Sequence, residues 1–148
     1  MSLDNILAGS SISASGLAGE RMRMEVAANN IANARSTRSV NGGPYRRQQV
    51  VFAAQMDRFL LPGNAGQPNL GGVRVVGTQA DNSPLPQIYD PGHPDANADG
   101  YVLMPNVNLP HEMVDLVTAS RAYEANLKSL ESFRQLAEQA LSLLRGIS

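Results

Sequence analysis

Residues 109–148, LPHEMVDLVTASRAYEANLKSLESFRQLAEQALSLLRGIS, decide the fold. Leu109, Met113, Leu116, Tyr123, Leu127, Leu130, Ala137, Leu141 and Leu144 recur at alternating steps of four and three, with Ser120 and Arg134 as the polar members. That spacing is a helix seam. Pro110 suits a first helical turn, Glu112 and Asp115 put negative charge near the positive end of the helix dipole, and Arg145 with Gly146 marks the exit. Glu124 and Lys128 are spaced four apart in the favourable order, and Glu131 precedes Arg134 by three. At ~1.5 Å per residue, a helix of thirty-odd residues is a rod of about 50 Å, longer than a small core can cover.

The start of the chain carries the same pattern. Leu3, Leu7, Ala14, Leu17, Met24, Ala28 and Ile31 share one stripe with Ser10 and Arg21. Gly9, Gly16 and Gly19 each cost up to about 1 kcal/mol of helix propensity relative to Ala, and the serines at 10, 11, 13 and 15 weaken the segment further, so this helix needs a partner. Small residues also let neighbouring backbones approach closely. The expected fold is therefore mainly α. Two long terminal helices, within residues 1–34 and 109–148, pack as a coiled-coil layer, and 35–108 form a small, irregular, β-rich middle with extended arms. In that middle, 48–53, 72–77 and 85–89 read as short strands. NGGP (41–44), PGN (62–64) and NSP (82–84) read as breakers, and Gly71-Gly72 as a turn.

Composition narrows the function. Hydrophobic residues make up 43% of the chain but aromatics only 5%, with no Trp, which suits helix seams better than a large self-sufficient core. With no Cys there is no disulfide framework, thiolate metal site or thiol nucleophile. The longest apolar run, 50–54, is far too short for a membrane span, and the first five residues lack the basic and apolar regions of a cleaved secretory signal. Charge is segregated. Residues 35–74 carry six arginines against Asp57, a balance of +5, whereas 75–120 carry six carboxylates and no Lys or Arg, a balance of −6. No nucleic-acid motif accompanies the arginines, which leaves an ordinary solvated surface or complementary fields that steer subunits together, with Arg46, Arg47 and Arg121 as candidates for pairing with the acidic 81–115 region of a neighbour.

No catalytic grouping, phosphate-cradling loop or cofactor site emerges. Asp95-Ala96-Asn97-Ala98-Asp99-Gly100 matches the first half of a calcium loop, but position twelve is Asn106 and prolines replace the preceding helix. A tight turn with Gly100 at positive φ is the expected reading, and no metal is expected. His93 and His111 read as turn-capping or exposed residues rather than ligands.

The octet AANNIANA (27–34) ends the first helix with Asn29, Asn30 and Asn33, residues suited to caps, left-handed backbone and cross-subunit hydrogen bonds. Followed by Thr37 and GGPYRRQ (42–48), it resembles the signature of the bacterial flagellar basal-body rod protein family. DPGHPD (90–95), GYV (100–102), PNVN (105–108) and ASRAYEAN (119–126) resemble the C-type proximal rod branch of that family. The resemblance implies a structural subunit, not an enzyme. Its terminal helices would line a hollow helical tube that transmits torque and passes exported subunits. It also implies self-association, contacts with other rod subunits and with export-gate or adaptor proteins, and export by the flagellar type III system into the periplasmic rod. On that reading Leu17, Met24, Ile31, Leu116, Tyr123, Leu127 and Leu130 are seam residues between subunits, and the three asparagines fix the end of the first helix. A non-flagellar helical adaptor or a secreted calcium-binding module is the alternative.

Overall fold

In the computed structural model, residues 3–39, 42–57 and 69–145 are described. The elements follow in the order α1 (Leu3–Ala32), β1 (Gln48–Asp57), β2 (Asn69–Ala80), β3 (Gln87–Tyr89), β4 (Tyr101–Leu103) and α2 (Leu109–Arg145). The side chains of Leu3, Leu7 and Leu144, Asn41, Arg58, the turn expected at 62–64 and the exit at Gly146 lie outside the described residues. Two long helices and two small sheets match the expected fold in outline. The strands differ from it. β1 and β2 run for 10 and 12 residues and pair with each other, longer than the short pieces expected, while β4 had no sequence signal beyond Tyr101 and Val102. β3 and β4 pair antiparallel with Gln87 opposite Leu103, Ile88 opposite Val102 and Tyr89 opposite Tyr101.

The chain divides into two compact units, each drawing on both helices. One comprises Met1–Arg21, Phe52–Val76 and Ala119–Ser148. Here α1 is close enough to α2 that a Cβ on Gly16 would lie 2.9 Å from the Asn126 amide nitrogen, and Gly9 lies against the Phe133 ring. These contacts pair rising with falling residue numbers, so the two helical segments run antiparallel. The serines and glycines that weaken α1 as an isolated helix are the residues that admit α2 and β2. Ser15 Oγ donates to the Ile12 carbonyl at 2.7 Å and accepts from the Val73 N–H at 3.2 Å. Gly72 makes that approach possible. Its φ is +105° and a Cβ there would come within 2.2 Å of Ser15 Oγ. The Gly71-Gly72 pair is thus part of a strand passing under a helix, which corrects the turn expected there.

The second unit comprises Met22–Val51 and Gly77–Thr118. It also holds its helical segments antiparallel, with Arg23 3.8 Å from Asp115 and Asn30 against Glu112. Among the described residues only Ala27, Val102 and Ala119 are buried hydrophobics, while Ser13, Asn30 and Glu112 are buried polar residues. The interior is small or polar where an ordinary core is aliphatic.

Burial along α2 repeats with its own four-three rhythm. Glu112, Leu116, Ala119, Tyr123, Asn126, Leu130, Phe133, Ala137 and Ala140 are buried or half-buried. This stripe shares Leu116, Tyr123, Leu130 and Ala137 with the one read from the sequence, but takes the residue before each of Met113, Ser120, Leu127, Arg134 and Leu141. Along α1, Ser13, Gly16, Glu20, Arg23, Ala27 and Asn30, each one position before the expected stripe, are buried or half-buried, and so are Leu17, Met24 and Ile31 of that stripe. Small and polar residues thus share the covered surfaces, while Met113 and Leu127 of the expected α2 stripe are left exposed.

Candidate functional site

The N-terminal end of α2 is built by Asn108, whose side-chain oxygen accepts the His111 N–H at 3.1 Å and whose carbonyl accepts the Glu112 N–H at 3.0 Å. This N-cap satisfies donors that a helix start leaves unpaired. Pro110 falls in the first turn, as expected. The cap orients Glu112 inward, where the residue is 1% exposed. One carboxylate oxygen accepts from Asn30 Nδ2 at 2.8 Å, and the other accepts from Arg47 Nε. Asn30, also 1% exposed, uses its amide fully. Its nitrogen donates to the Gln48 carbonyl at 2.9 Å as well, and its oxygen accepts the Tyr45 hydroxyl at 2.8 Å and the Gln48 N–H at 2.9 Å. Burial, and then the Glu112 charge, push the Tyr45 hydroxyl pKa above its usual value, so it remains a donor.

Arg47 extends this network. Its guanidinium lies 3.8 Å from Asp81 and 3.6 Å from Asp115, and its backbone N–H donates to Asn106 Oδ1 at 2.8 Å. Asn106 Nδ2 in turn donates to the Asp81 carbonyl and Ser83 Oγ at 3.0 and 2.9 Å. Hydrogen bonds from the Ser83 backbone and side chain, followed by the Arg47 charge, hold the Asp81 carboxyl below the usual carboxylate range. Among the described residues no buried side-chain polar atom is left without a partner.

Two of the expected docking residues have partners within the chain. Arg47 does meet the acidic 81–115 region, but inside its own chain, because the end of α1 and the cap of α2 hold Asn30 and Glu112 beside it. Asn30 is consumed by the same network. Arg46 points its guanidinium at the Asp81 and Ser83 carbonyls, both at 3.4 Å. Asn33 closes α1, donating from Nδ2 to the Asn29 carbonyl at 2.9 Å and accepting from Ser36 Oγ at 3.1 Å. Asn29 is exposed, and the described asparagines keep negative φ, so the left-handed backbone expected there is absent among them.

The calcium-loop segment is spent on structure. Asp95 accepts Thr37 Oγ1 at 2.8 Å and pairs with Arg38, contacts that hold its carboxyl below the usual range, with the Thr37 bond the largest cause. Asn97 Oδ1 accepts the Asp99 and Tyr101 N–H groups at 3.0 and 2.8 Å. Gly100 takes φ +80°, as the turn requires. His93 Nδ1 accepts the Asp95 N–H at 3.1 Å. His111 Nδ1 stands 3.5 Å from Asp115 and 3.9 Å from Glu112, but donors already occupy both Glu112 oxygens.

Part of the exposed surface is apolar. Leu109, Met113, Val114 and Val117, near the start of α2, are 42–65% exposed. Leu127, Leu136, Leu141 and Leu143 continue the exposure, and Ile12, Phe52, Val73 and Val76 add to it. Leu116, Tyr123 and Leu130 are half-buried within the covered stripe of α2, Leu17, Met24 and Ile31 are half-buried on α1, and Arg121 is exposed. Near the far end, Arg134 pairs forward with Glu138 at 2.9 Å, where Glu131 was expected as its partner. The sequence reading missed the Asn108 cap and the Glu112 network; the Asn-x-x-His-Glu spacing before an apolar run was the available signal.

Residues 11–37 match the family described as flagella basal body rod protein, and 98–143 match the flagellar basal body rod FlgEFG protein C-terminal family. The chain is 43% identical to the flagellar basal-body rod protein FlgC of Borreliella burgdorferi, with 91% of this chain and 95% of the relative covered. It is 42% identical to FlgC of Salmonella typhimurium (89% and 92% covered) and 41% identical to FlgC of Bacillus subtilis (89% and 93%). The likeness spans both helices and the segment between them, and the chain belongs to the FlgC family of flagellar basal-body rod proteins.

Proposed function

We propose that this chain is a structural subunit of the flagellar basal-body rod, acting in its proximal part, and that its helices dock on neighbouring subunits through their open apolar sides. The observation that carries this reading is the apolar surface left exposed at the start of α2: Glu112 and Ala119 are covered, while Leu109, Met113, Val114 and Val117 are 42–65% exposed. A soluble monomer gains nothing by exposing such a stripe, whereas an assembly buries it. Heterologous contacts that do not close into a small ring propagate a tube, and spreading adhesion over several interfaces resists torque.

Leu17, Met24, Ile31, Leu116, Tyr123, Leu127 and Leu130 would then complete coiled-coil seams with other rod subunits. Arg46 and Arg121 would steer approach towards a neighbour's acidic 81–115 region. Residues 1–34 and 109–148 would form the inner layer and 35–108 the outer arms. Export through the flagellar type III system and passage of later subunits through the lumen belong to the same reading, as do contacts with the export gate. Electron cryo-microscopy of basal bodies from a strain lacking the gene, beside the complemented strain, tests the placement. Inner-membrane rings without a rod are expected; a complete rod and hook would refute it.

A further inference from the structure

Two overlapping stripes compete for the inside of α2. The covered one reads Glu112, Leu116, Ala119, Tyr123; the other reads Leu109, Met113, Leu116, Tyr123 and is the more apolar at its first two positions. Their directions differ by about 50°, half of the roughly 100° between successive helical residues. Hydrophobic burial alone favours turning Met113 inward and Glu112 outward. Yet Met113 is 55% exposed, Glu112 is 1% exposed and Ala119 is fully covered.

We propose that Glu112, Arg47 and Asn30 form a register pin that fixes the rotation of α2, and so leaves Met113 and its exposed apolar neighbours uncovered. A rotation of about 50° would pull the Glu112 carboxylate away from Asn30 Nδ2 and Arg47 Nε together, leaving the half-buried Arg47 Nε and one of the two Asn30 amide donors without their acceptors. A single buried polar contact that selects one helix register among several is a known use of such groups. The residues act by positioning: none of the three is on the open stripe. That this stripe docks on other subunits rests on the function proposed above, whereas the register itself is a property of the free chain.

The absence of native Cys allows a direct test by thiol labelling of the full-length free chain. Met113→Cys and Ala119→Cys are each placed in the native background and in a Glu112→Ala/Arg47→Ala background, which removes both charges without adding a bulky apolar side chain to the covered stripe. In the native background Cys at 113 labels fast and Cys at 119 slowly. Loss of the pin is expected to slow position 113 and speed position 119, each by about tenfold or more. Glu112→Gln, which still accepts from Asn30, is expected to keep the native pattern. Unchanged rates at both positions would overturn the proposal by placing the register elsewhere in the fold. Fast labelling at both would also overturn it, because the network would then supply stability alone. A charged Met113→Asp variant read in rod assembly tests the docking role separately.

Discussion

The two units of this chain are held together by opposite means. In the unit containing Ala119–Ser148, helices meet because side chains are missing: Gly16 admits Asn126, and Gly72 admits Ser15. In the unit containing Met22–Val51, they meet because side chains are present and paired, with Asn30, Tyr45, Arg47 and Glu112 sharing one hydrogen-bond network. Among the described residues, both units place small or polar side chains where an ordinary core holds aliphatic ones, and several aliphatic residues stay exposed. Shape-based contacts fail gradually as atoms are added, while a buried charge network fails abruptly when one member is lost.

The largest expected break is on the network side. Glu112→Ala removes the nearest carboxylate partner of Arg47, leaving it Asp81 and Asp115, and takes away one of the two acceptors of the Asn30 amide; breaking such a buried pair costs up to about 3–5 kcal/mol. Chemical denaturation should show it, together with loss of amide protection around residues 45–48. On the shape side, Gly72→Ala forces a side chain into positive φ and against Ser15, at about 1–3 kcal/mol. Exchange protection should fall in β2 and the first half of α1 but be preserved around Asn30. If both substitutions loosened both units equally, the contrast between them would be wrong. Tyr45→Phe should cost less, about 1 kcal/mol, since Asn30 Oδ1 keeps the Gln48 N–H.

The smallest effect is electrostatic and confined to the network unit. Asp81 and Asp95 have pKa values lowered by their hydrogen bonds and arginine partners. A carboxyl with a depressed folded-state pKa stabilises the fold above its unfolded value of about 3.9, and that contribution is lost as pH falls through the folded value. Acid titration followed by exchange should therefore loosen the contacts of Thr37 and Ser83 before those of Gly16.

Much of this was legible in the sequence. The four-three rhythm of apolar residues disclosed both helices, and the resemblance of AANNIANA and ASRAYEAN to rod proteins disclosed the family. What the rhythm could not say was which side of each helix is covered. Met113 and Glu112 are neighbours, and an apolarity count chooses Met113. Only the partners brought in from distant positions, Asn30 and Arg47, make Glu112 the inward residue. Gly72 misled for a related reason: a double glycine reads as a turn unless one knows that Ser15 crosses it. The calcium-like loop was read correctly as a turn because its missing twelfth ligand was visible in the sequence itself.

If the exposed apolar residues of α2 dock on other subunits, complementing a deletion strain with Met113→Asp or Leu127→Asp and imaging its basal bodies by electron cryo-microscopy will reveal it. Both residues are exposed, so a charge there should shift the stability of the free chain by less than about 0.5 kcal/mol. A folded, expressed chain and basal bodies without a completed rod are expected. Complete rods carrying either variant, with normal motility, would mean that this surface does not dock.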